Sequence, residues 1–261
     1  MSNIRKYLDG FMRFKPLLKE LVKREIKVRY RHSVLGMVWT VLNPLLSMLV
    51  LTVVFSYMLR MDIENFPLYV LIGNIVFGFN SDATNQGMTA IVNNASLIKK
   101  VYIPKYMFPL SNVLSCLVNF AFSFIAMILV MIFTGAKFHI TIVTIWIPML
   151  YLMLFSFGLS LILSTVNVFF RDTQHLYGVF LTAWMYFSGI FYSIDFIPEK
   201  LKVFIDINPM YQYINFFRQV IMYGVFPGVR ENLMCIFWSI LMLALGLSVF
   251  YKNQDKFILH I

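Results

Sequence analysis

The sequence predicts an all-α polytopic membrane protein with six transmembrane helices, an N-terminal amphipathic interface helix and re-entrant helices before the last span. Three observations predict this class. The chain of 261 residues is 60 % hydrophobic and only 13 % charged, whereas soluble domains average about 25 % charged residues. Several uncharged runs reach the roughly 20 residues that a helix needs to cross a bilayer. The basic residues flank these runs and do not interrupt them.

Residues 1–33 are predicted to form a cytoplasmic segment that contains an amphipathic helix. From Pro16, a residue suited to the first helical position, leucine and valine recur at helical spacing between charges as far as Arg31. Such a helix lies in the membrane interface with its basic face toward the lipid headgroups. The pattern fits a membrane-surface anchor and equally an anchor that also docks a partner protein. The basic residues assigned to this helix are Lys19, Lys23, Arg24, Lys27, Arg29 and Arg31.

Residues 34–251 form the predicted transmembrane domain, and residues 252–261 form a cytoplasmic tail. The six predicted spans are Val34 to Leu59, a second beginning near Phe66, Met107 to Thr134, a fourth within Phe138 to Phe170, Thr173 to Ile194, and Asn232 to Tyr251. The second span becomes polar toward its inner end, so we expect it to face other helices, a second subunit or a wet cavity. The fourth run is too long for one upright span, so its part up to Pro148 is expected to be irregular.

The connections between the spans differ in charge. Residues 92–106 form a basic loop, and a tight turn follows at Arg171 and Asp172; retention of Lys and Arg on the inner side places both in the cytoplasm. Residues 195–230 contain three prolines and apolar runs too short to cross, which predicts two half-helices that enter the membrane and return under shelter of the protein. Sixteen of the 22 Lys and Arg residues then lie inside, with both termini in the cytoplasm.

The motifs of common membrane enzymes are missing from the sequence. No glycine precedes a lysine, so the phosphate-binding motif G-x-x-x-x-G-K-[ST] is absent. The four histidines and the acids are dispersed and show no metal-ligand spacing. An embedded enzyme is therefore disfavoured, and no bound cofactor is expected. The net charge of +10 reflects the inner basic loops and not a nucleic-acid partner, and Cys116 and Cys235, both in apolar runs, are expected to be free thiols.

Asp82 is the one acid expected within a span. One interpretation makes it a proton or cation site, and the protein a proton-coupled carrier. The other places it near the inner end of its helix, hydrated or paired with a basic neighbour. We favour the second, because proton-driven carriers usually show several intramembrane ionisable groups and a repeated architecture, and no internal repeat is visible here.

Aromatic side chains are concentrated in the predicted fifth span. Belts of Trp and Tyr at the membrane interface explain some of them, including Trp39 and Tyr192. The cluster from Trp184 to Tyr192 is denser than a belt requires, and rings stack well on the C–H faces of sugars, so a path for a glycan is the alternative. The residues assigned to this path are Trp39, Trp184, Tyr186, Phe187, Phe191 and Tyr192.

Four motifs, in order along nearly the whole chain, resemble ATP-binding-cassette polysaccharide exporter permeases. The first two are Val28–Arg31 continuing through Gly36, Trp39 and Leu42–Leu45, and Asn94–Lys105; the others are Asn167–Asp172 with Gln174 and His175, and Ile197–Lys200 with Asn208–Met210. Each motif alone is modest, and together they are specific.

The resemblance implies a bacterial inner-membrane permease that forms a homodimer and pairs with two copies of a separate ATPase, which binds ATP and Mg²⁺. Its substrate would be a lipid-linked polysaccharide such as an O-antigen, a teichoic acid or a rhamnan, and an exporter of another lipid or a drug is the alternative. The resemblance assigns Pro198, Asn208 and Pro209 to an outer gate. It assigns ATPase coupling to Asn94, Ser96, Leu97, Ile98, Lys99, Lys100, Val101, Arg171 and Asp172.

Overall fold

The computed structural model describes residues 2–31, 33–58, 63–194 and 198–261, without the side chains of residues 2–13, 57, 58 and 201. Within these ranges the regular elements are helices, as the sequence predicts. The α-helices are α1 (Ser2–Arg29), α2 (Trp39–Thr52), α3 (Phe66–Asn93), α4 (Ala95–Lys100), α5 (Met107–Thr134), α6 (Trp146–Phe169), α7 (Thr173–Phe187), α8 (Glu199–Ile207), α9 (Pro209–Arg218), α10 (Val229–Asn253) and α11 (Phe257–His260). Short 3₁₀ segments cover Gly36–Val38, Ile140–Thr144 and Gln254–Lys256, and π-helical segments cover Val53–Met58 and Gln219–Tyr223.

Four helical stretches are long and apolar enough to cross a membrane. They are Gly36–Ser56, Met107–Thr134, Ile140–Phe169 and Val229–His260. The second coincides with the predicted third span, and α3 begins at Phe66 as predicted. The 3₁₀ turn before α6 also confirms the expected irregular start of the fourth run. The protein is therefore a polytopic membrane protein, while the number of six spans stays a prediction.

Helix α3 forms the centre of the bundle and packs against α2, α5, α6 and α9. Its inner half is polar, and the structure confirms that this half faces other helices and a cavity. Asn80 and Thr84 are fully buried. Ser156 donates a hydrogen bond of 2.9 Å to Asn80 Oδ1, and Tyr177 donates one of 2.7 Å to Thr84. These two contacts join buried polar groups across helices and help to position α6 and α7 on α3.

Helices α6 and α10 approach each other at two glycines. A Cβ atom built on Gly158 would overlap the backbone carbonyl of Met242, and one built on Gly246 would overlap the carbonyl of Gly158. Small residues allow such close backbone packing between membrane helices, where van der Waals contact drives association. This crossing anchors the last long helix to the bundle.

The predicted start of the N-terminal helix at Pro16 is wrong, because α1 extends from Ser2 to Arg29 with Pro16 inside it. Proline removes one backbone hydrogen bond from a helix interior. The helix nevertheless continues, because Leu18 and Leu21 are buried against the protein and hold the following turns in place. Arg31 lies in the turn after the helix.

The predicted fifth span, Thr173 to Ile194, is too long. Helix α7 has 15 residues and ends at Phe187, which gives a length of about 22 Å against a hydrocarbon core of about 30 Å. Gly189 then adopts a left-handed conformation with φ of +63°, and Ile190 and Phe191 fold back into the core. The sequence gives no sign of this reversal, because the residues after the turn are as apolar as those of the helix.

The first predicted span and the segment 195–230 also differ from a simple helix. Helical structure in the first span begins at Gly36 and ends as a π-helix at Met58, while residues 59–62 lie outside the described residues. Residues 198–230 contain α8 and α9, two short helices that meet at Asn208. Their entry into the membrane stays a prediction.

Candidate functional site

Helix α4 follows α3 directly and is held at its start by Asn94. The side-chain amide of Asn94 donates to the Ala90 carbonyl at 2.8 Å, and its Oδ1 accepts from Arg24 of α1 at 2.5 Å. Asn94 therefore ties α1 to the junction of α3 and α4. After Lys100 the chain leaves the helix in an extended conformation at Val101.

The residues predicted for ATPase coupling divide into a buried and an exposed set. Ile98 is buried in an apolar cluster with Leu21, Ile103 and Phe257, and Leu97 is half-buried at its edge. Ser96, Lys99, Lys100 and Val101 are exposed. Tyr102, which the sequence reasoning did not select, is 93 % exposed; its signal was a large aromatic residue in a basic loop.

Three basic side chains hold the C-terminal segment. They come from α4, from the loop after it and from the turn before α7. Lys99 donates to the Ile261 carbonyl at 2.5 Å, and Lys105 donates to the Gln254 carbonyl at 2.6 Å. Arg171 donates to the His260 carbonyl at 3.2 Å. Lys and Arg stabilise helix ends by such contacts to free carbonyls. We name residues 94–105, 171–172 and 254–261 the basic end of the bundle.

Phe257 completes this end because its ring is fully buried. It contacts Phe250 and Phe169 in edge-on geometry, with ring centroids 5.2 and 6.2 Å apart. Phe257 lies in one apolar cluster with Ile103 and Phe169. The C-terminal segment therefore contacts both the loop after α4 and the helix that precedes the turn at residues 171–172. Asp172 precedes α7 and is exposed. Both connections therefore pack on the same C-terminal segment.

The basic side chains of α1 lie next to this end and mostly face outward. Lys19, Lys23 and Lys27 are exposed, as is Arg31 in the following turn. Lys23 donates to the Glu20 carboxylate at 2.7 Å, and this contact lowers the pKa of Glu20. The predicted basic face is thus present, although its apolar counterpart at Leu18 and Leu21 is covered by protein.

Among the basic residues of α1 whose side chains the structure describes, Arg29 points into the bundle. Its guanidinium donates to Gln86 and, at 3.2 Å, to the sulfur of Cys116. It also forms an ion pair with Asp82, with Nη1 and Oδ2 3.6 Å apart. This pairing matches the interpretation of Asp82 as a carboxylate with a basic neighbour. Cys116 and Cys235 are free and buried, as expected.

A cavity of about 730 Å³ lies between α2, α3, α5 and the end of α7. Three residues predicted for the substrate path line it, namely Trp39, Tyr186 and Phe191. Hydroxyl and amide groups lie among these rings. The polar uncharged residues of the lining are Tyr30, Thr40, Asn43, Ser47, Asn74, Ser81, Asn119 and Ser123. The lining therefore offers hydrogen-bonding groups and flat apolar faces together.

The other predicted path and gate residues lie elsewhere. Trp184, Phe187, Asn208 and Pro209 line a second cavity of about 330 Å³ between α7 and the α8–α9 pair. Asn208 Oδ1 accepts from the Met210 amide at 3.0 Å, as an N-cap does, and from Trp184 at 2.9 Å. Its amide donates to the Phe187 carbonyl at 2.9 Å. Asn208 thus fastens α9 to the end of α7.

Tyr192 and Pro198, also predicted for the path and the gate, line neither of these two cavities. The Tyr192 hydroxyl donates to the Tyr186 carbonyl at 2.6 Å, and the Tyr192 carbonyl accepts from Tyr69 at 2.9 Å. Both contacts brace the reversal after α7. Pro198 precedes α8 as its N-cap residue.

Arg218 is a second residue that the sequence did not assign to the site, since it was one of the six Lys and Arg residues expected on the outer side. It is only 2 % exposed and donates to the carbonyls of Gly189 at 2.9 Å, Ile190 at 3.1 Å and Tyr69 at 3.2 Å. Its guanidinium carbon lies 3.3 Å from the centre of the Tyr69 ring, within the range of a cation–π contact. The one signal in the sequence was a lone arginine among aromatic residues.

Comparison with known proteins gives a consistent assignment. Residues 16–222 match the family described as ABC-2 type transporter. The O-antigen export system permease protein RfbA of Klebsiella pneumoniae is 30 % identical over 260 residues, which cover 98 % of each chain. The protein of the same description from Myxococcus xanthus is 30 % identical over 246 residues, 94 % of this chain and 95 % of the relative. The polysialic acid transport protein KpsM of Escherichia coli is 25 % identical over 254 residues, 95 % of this chain and 97 % of the relative. With most of its length covered by the family match, the chain belongs to the ABC-2 type transporter family.

Proposed function

We propose that this chain is the transmembrane permease subunit of an ATP-driven exporter that moves a lipid-linked polysaccharide across the bacterial cytoplasmic membrane. The observation that carries this proposal is the lining of the large cavity, where Trp39 and Phe191 lie among hydroxyl and amide side chains. A sugar presents hydroxyls at its rim and C–H groups on its faces, so it needs both kinds of contact. The similarity to O-antigen export permeases over nearly the full length supports the same cargo class.

A separate ATPase would supply the energy, with ATP and Mg²⁺ bound to that partner. The surface offered to it is the exposed side of α4 with Val101 and Tyr102, next to the outward basic face of α1. The opposite side of α4 is anchored by Ile98 in the apolar cluster. A force that the ATPase applies to the exposed side of α4 would move the packed helices together as a rigid body. Packed cores resist continuous deformation.

The proposed assembly contains two permease chains and two ATPase chains. Two copies would enclose a path wide enough for a glycan, and exposed apolar residues of α2 and α7 are available for contact with the second copy or with lipid. These residues are Leu46, Leu49, Val50, Leu176, Val179 and Phe180. The basic end and both termini would lie in the cytoplasm, as the excess of Lys and Arg there favours. Residues 198–220 would then form the outer gate, with Asn208 joining its two helices.

Charge reversal on the coupling surface is expected to release the ATPase. Lys100 and Tyr102 are exposed, so the double change Lys100→Glu and Tyr102→Asp leaves the fold intact. The variant loses the favourable contacts of Lys100 and Tyr102 and places two negative charges at the contact surface. We expect it to retain less than about one tenth of the co-purified ATPase. The measurement is the amount of the ATPase encoded beside this gene that is retained on the tagged chain.

The matched control lies on the turn between α5 and α6. Lys137 and Phe138 are also exposed, so Lys137→Glu with Phe138→Asp makes the same chemical change away from the proposed contact. This control is expected to retain the ATPase. Equal retention by both double variants would show that α4 and the residues after it are not the docking surface. Ile98→Asp is unsuitable for this test because it places a carboxylate in the buried cluster.

A further inference from the structure

Two of the cavity-lining residues in the described part of the chain carry a charge, Arg29 and Asp82. They form an ion pair at 3.6 Å, but they are not equally accessible. The Asp82 side chain is 60 % exposed and that of Arg29 only 22 %. A ligand in the cavity therefore meets the carboxylate more fully than the guanidinium.

The guanidinium is further occupied by contacts with the surrounding helices. It donates to Gln86 of α3 and to Cys116 of α5 at 3.2 Å. Together with the ion pair, these contacts hold the guanidinium against α3 and α5. The guanidinium is thus directed at three protein groups, whereas the Asp82 side chain keeps the larger exposed fraction of the pair.

Side-chain amides with unpaired N–H donors line the same cavity. Asn119 is 8 % exposed, and its Oδ1 accepts from the Tyr30 hydroxyl at 3.1 Å. Its Nδ2 has no hydrogen-bond partner in the described part of the protein, and the same holds for Nδ2 of Asn74. A buried donor without a partner costs free energy unless a ligand or water accepts from it. Donor amides and an acceptor carboxylate together complement a hydroxyl, which is both donor and acceptor.

We propose that Asp82 determines cargo specificity: its carboxylate accepts hydrogen bonds from the hydroxyls of an uncharged sugar and disfavours saccharides that carry a carboxylate or phosphate in each repeat. Like charges brought together at a binding site cost several kcal/mol where water is scarce and less where it remains. Trp39 and Phe191 then provide ring contacts that neutral and anionic sugars make alike. The charge at Asp82 is what distinguishes the two kinds of sugar. This inference rests on the proposed function and narrows its substrate class to neutral glycans.

The test uses the chain reconstituted with its ATPase in lipid nanodiscs. Two probes are compared, a lipid-linked galactan, which is neutral, and lipid-linked polysialic acid, which carries one carboxylate per sugar. The readout is the glycan concentration that half-maximally stimulates ATP hydrolysis. For the wild type we expect this concentration to be about tenfold lower for galactan than for polysialic acid.

The change Asp82→Asn keeps the size of the side chain and removes its charge. It is expected to lower the concentration needed for polysialic acid about tenfold and to leave the galactan value within about twofold. Glu64→Gln, at an exposed acid before α3 and outside the cavity, is the matched control and is expected to retain the wild-type preference.

The outcomes separate the two proposals. Equal response of the wild type to both glycans, or a preference for polysialic acid, overturns the role of Asp82 without need of any variant and leaves the export function intact. An unchanged galactan preference in Asp82→Asn overturns it as well. Failure of both glycans to stimulate ATP hydrolysis by the wild-type complex overturns the proposed function, and the inference falls with it.

Discussion

Replacing Gly158 with Ala is expected to destabilise the bundle by about 3 kcal/mol, the upper end of overpacking costs. The added methyl group would overlap the Met242 carbonyl on α10. This atom is backbone and cannot rotate away, so α6 and α10 must separate along their crossing. The measurement is the melting temperature of the purified chain in detergent, followed by size-exclusion fluorescence.

Gly178→Ala is the matched control for this prediction. Gly178 lies in α7, a Cβ atom there meets nothing within 4 Å, and alanine favours the helix over glycine by up to about 1 kcal/mol. The two substitutions are therefore expected to shift the melting temperature in opposite directions. A Gly158→Ala chain that melts with or above the wild type would contradict the close crossing of α6 and α10.

Replacing Arg218 with Met is expected to destabilise the protein by about 3 kcal/mol or more, because hydrogen bonds to charged groups contribute about 1.5 to 3 kcal/mol each. The carbonyls of Gly189, Ile190 and Tyr69 would lose their donor inside the protein. The reversal after α7 would loosen first, since two of the three carbonyls belong to it. Thermal unfolding of the purified variant measures the loss.

Arg218→Lys separates charge from geometry. Lysine keeps the positive charge but cannot reach three carbonyls with a planar fork, so we expect a loss of stability between those of the wild type and Arg218→Met. As a second readout, Phe191→Cys in a background without Cys116 and Cys235 is expected to react faster with a thiol reagent when Arg218 is replaced. A Met variant with wild-type melting and wild-type labelling would show that Arg218 does not hold this turn.

Element boundaries were predictable where local signals end a helix. Helix α5 runs from Met107 to Thr134 as predicted, because Gly135 closes it in a left-handed conformation and the basic loop precedes it. The end of α7 was not predictable, since Ile190 and Phe191 are as apolar as the helix before them. Their reversal depends on Arg218, which is distant along the chain.

The coupling residues show a similar division. Ile98 and Val101 are both apolar and three positions apart, yet Ile98 is buried and Val101 is 51 % exposed. Which of them faces outward depends on contacts with α1 and with Phe257 near the other end of the chain. A sequence motif identifies the segment, and tertiary packing decides which of its side chains a partner can reach.

The most direct measurement of the central claim is polysaccharide export in cells from which this gene has been deleted. We expect the polysaccharide to disappear from the cell surface and its lipid-linked form to accumulate inside. The wild-type gene is expected to restore export, and the Lys100→Glu and Tyr102→Asp pair is expected not to. Normal surface polysaccharide in the deletion strain, with no internal lipid-linked glycan, would contradict the claim that this chain is an export permease.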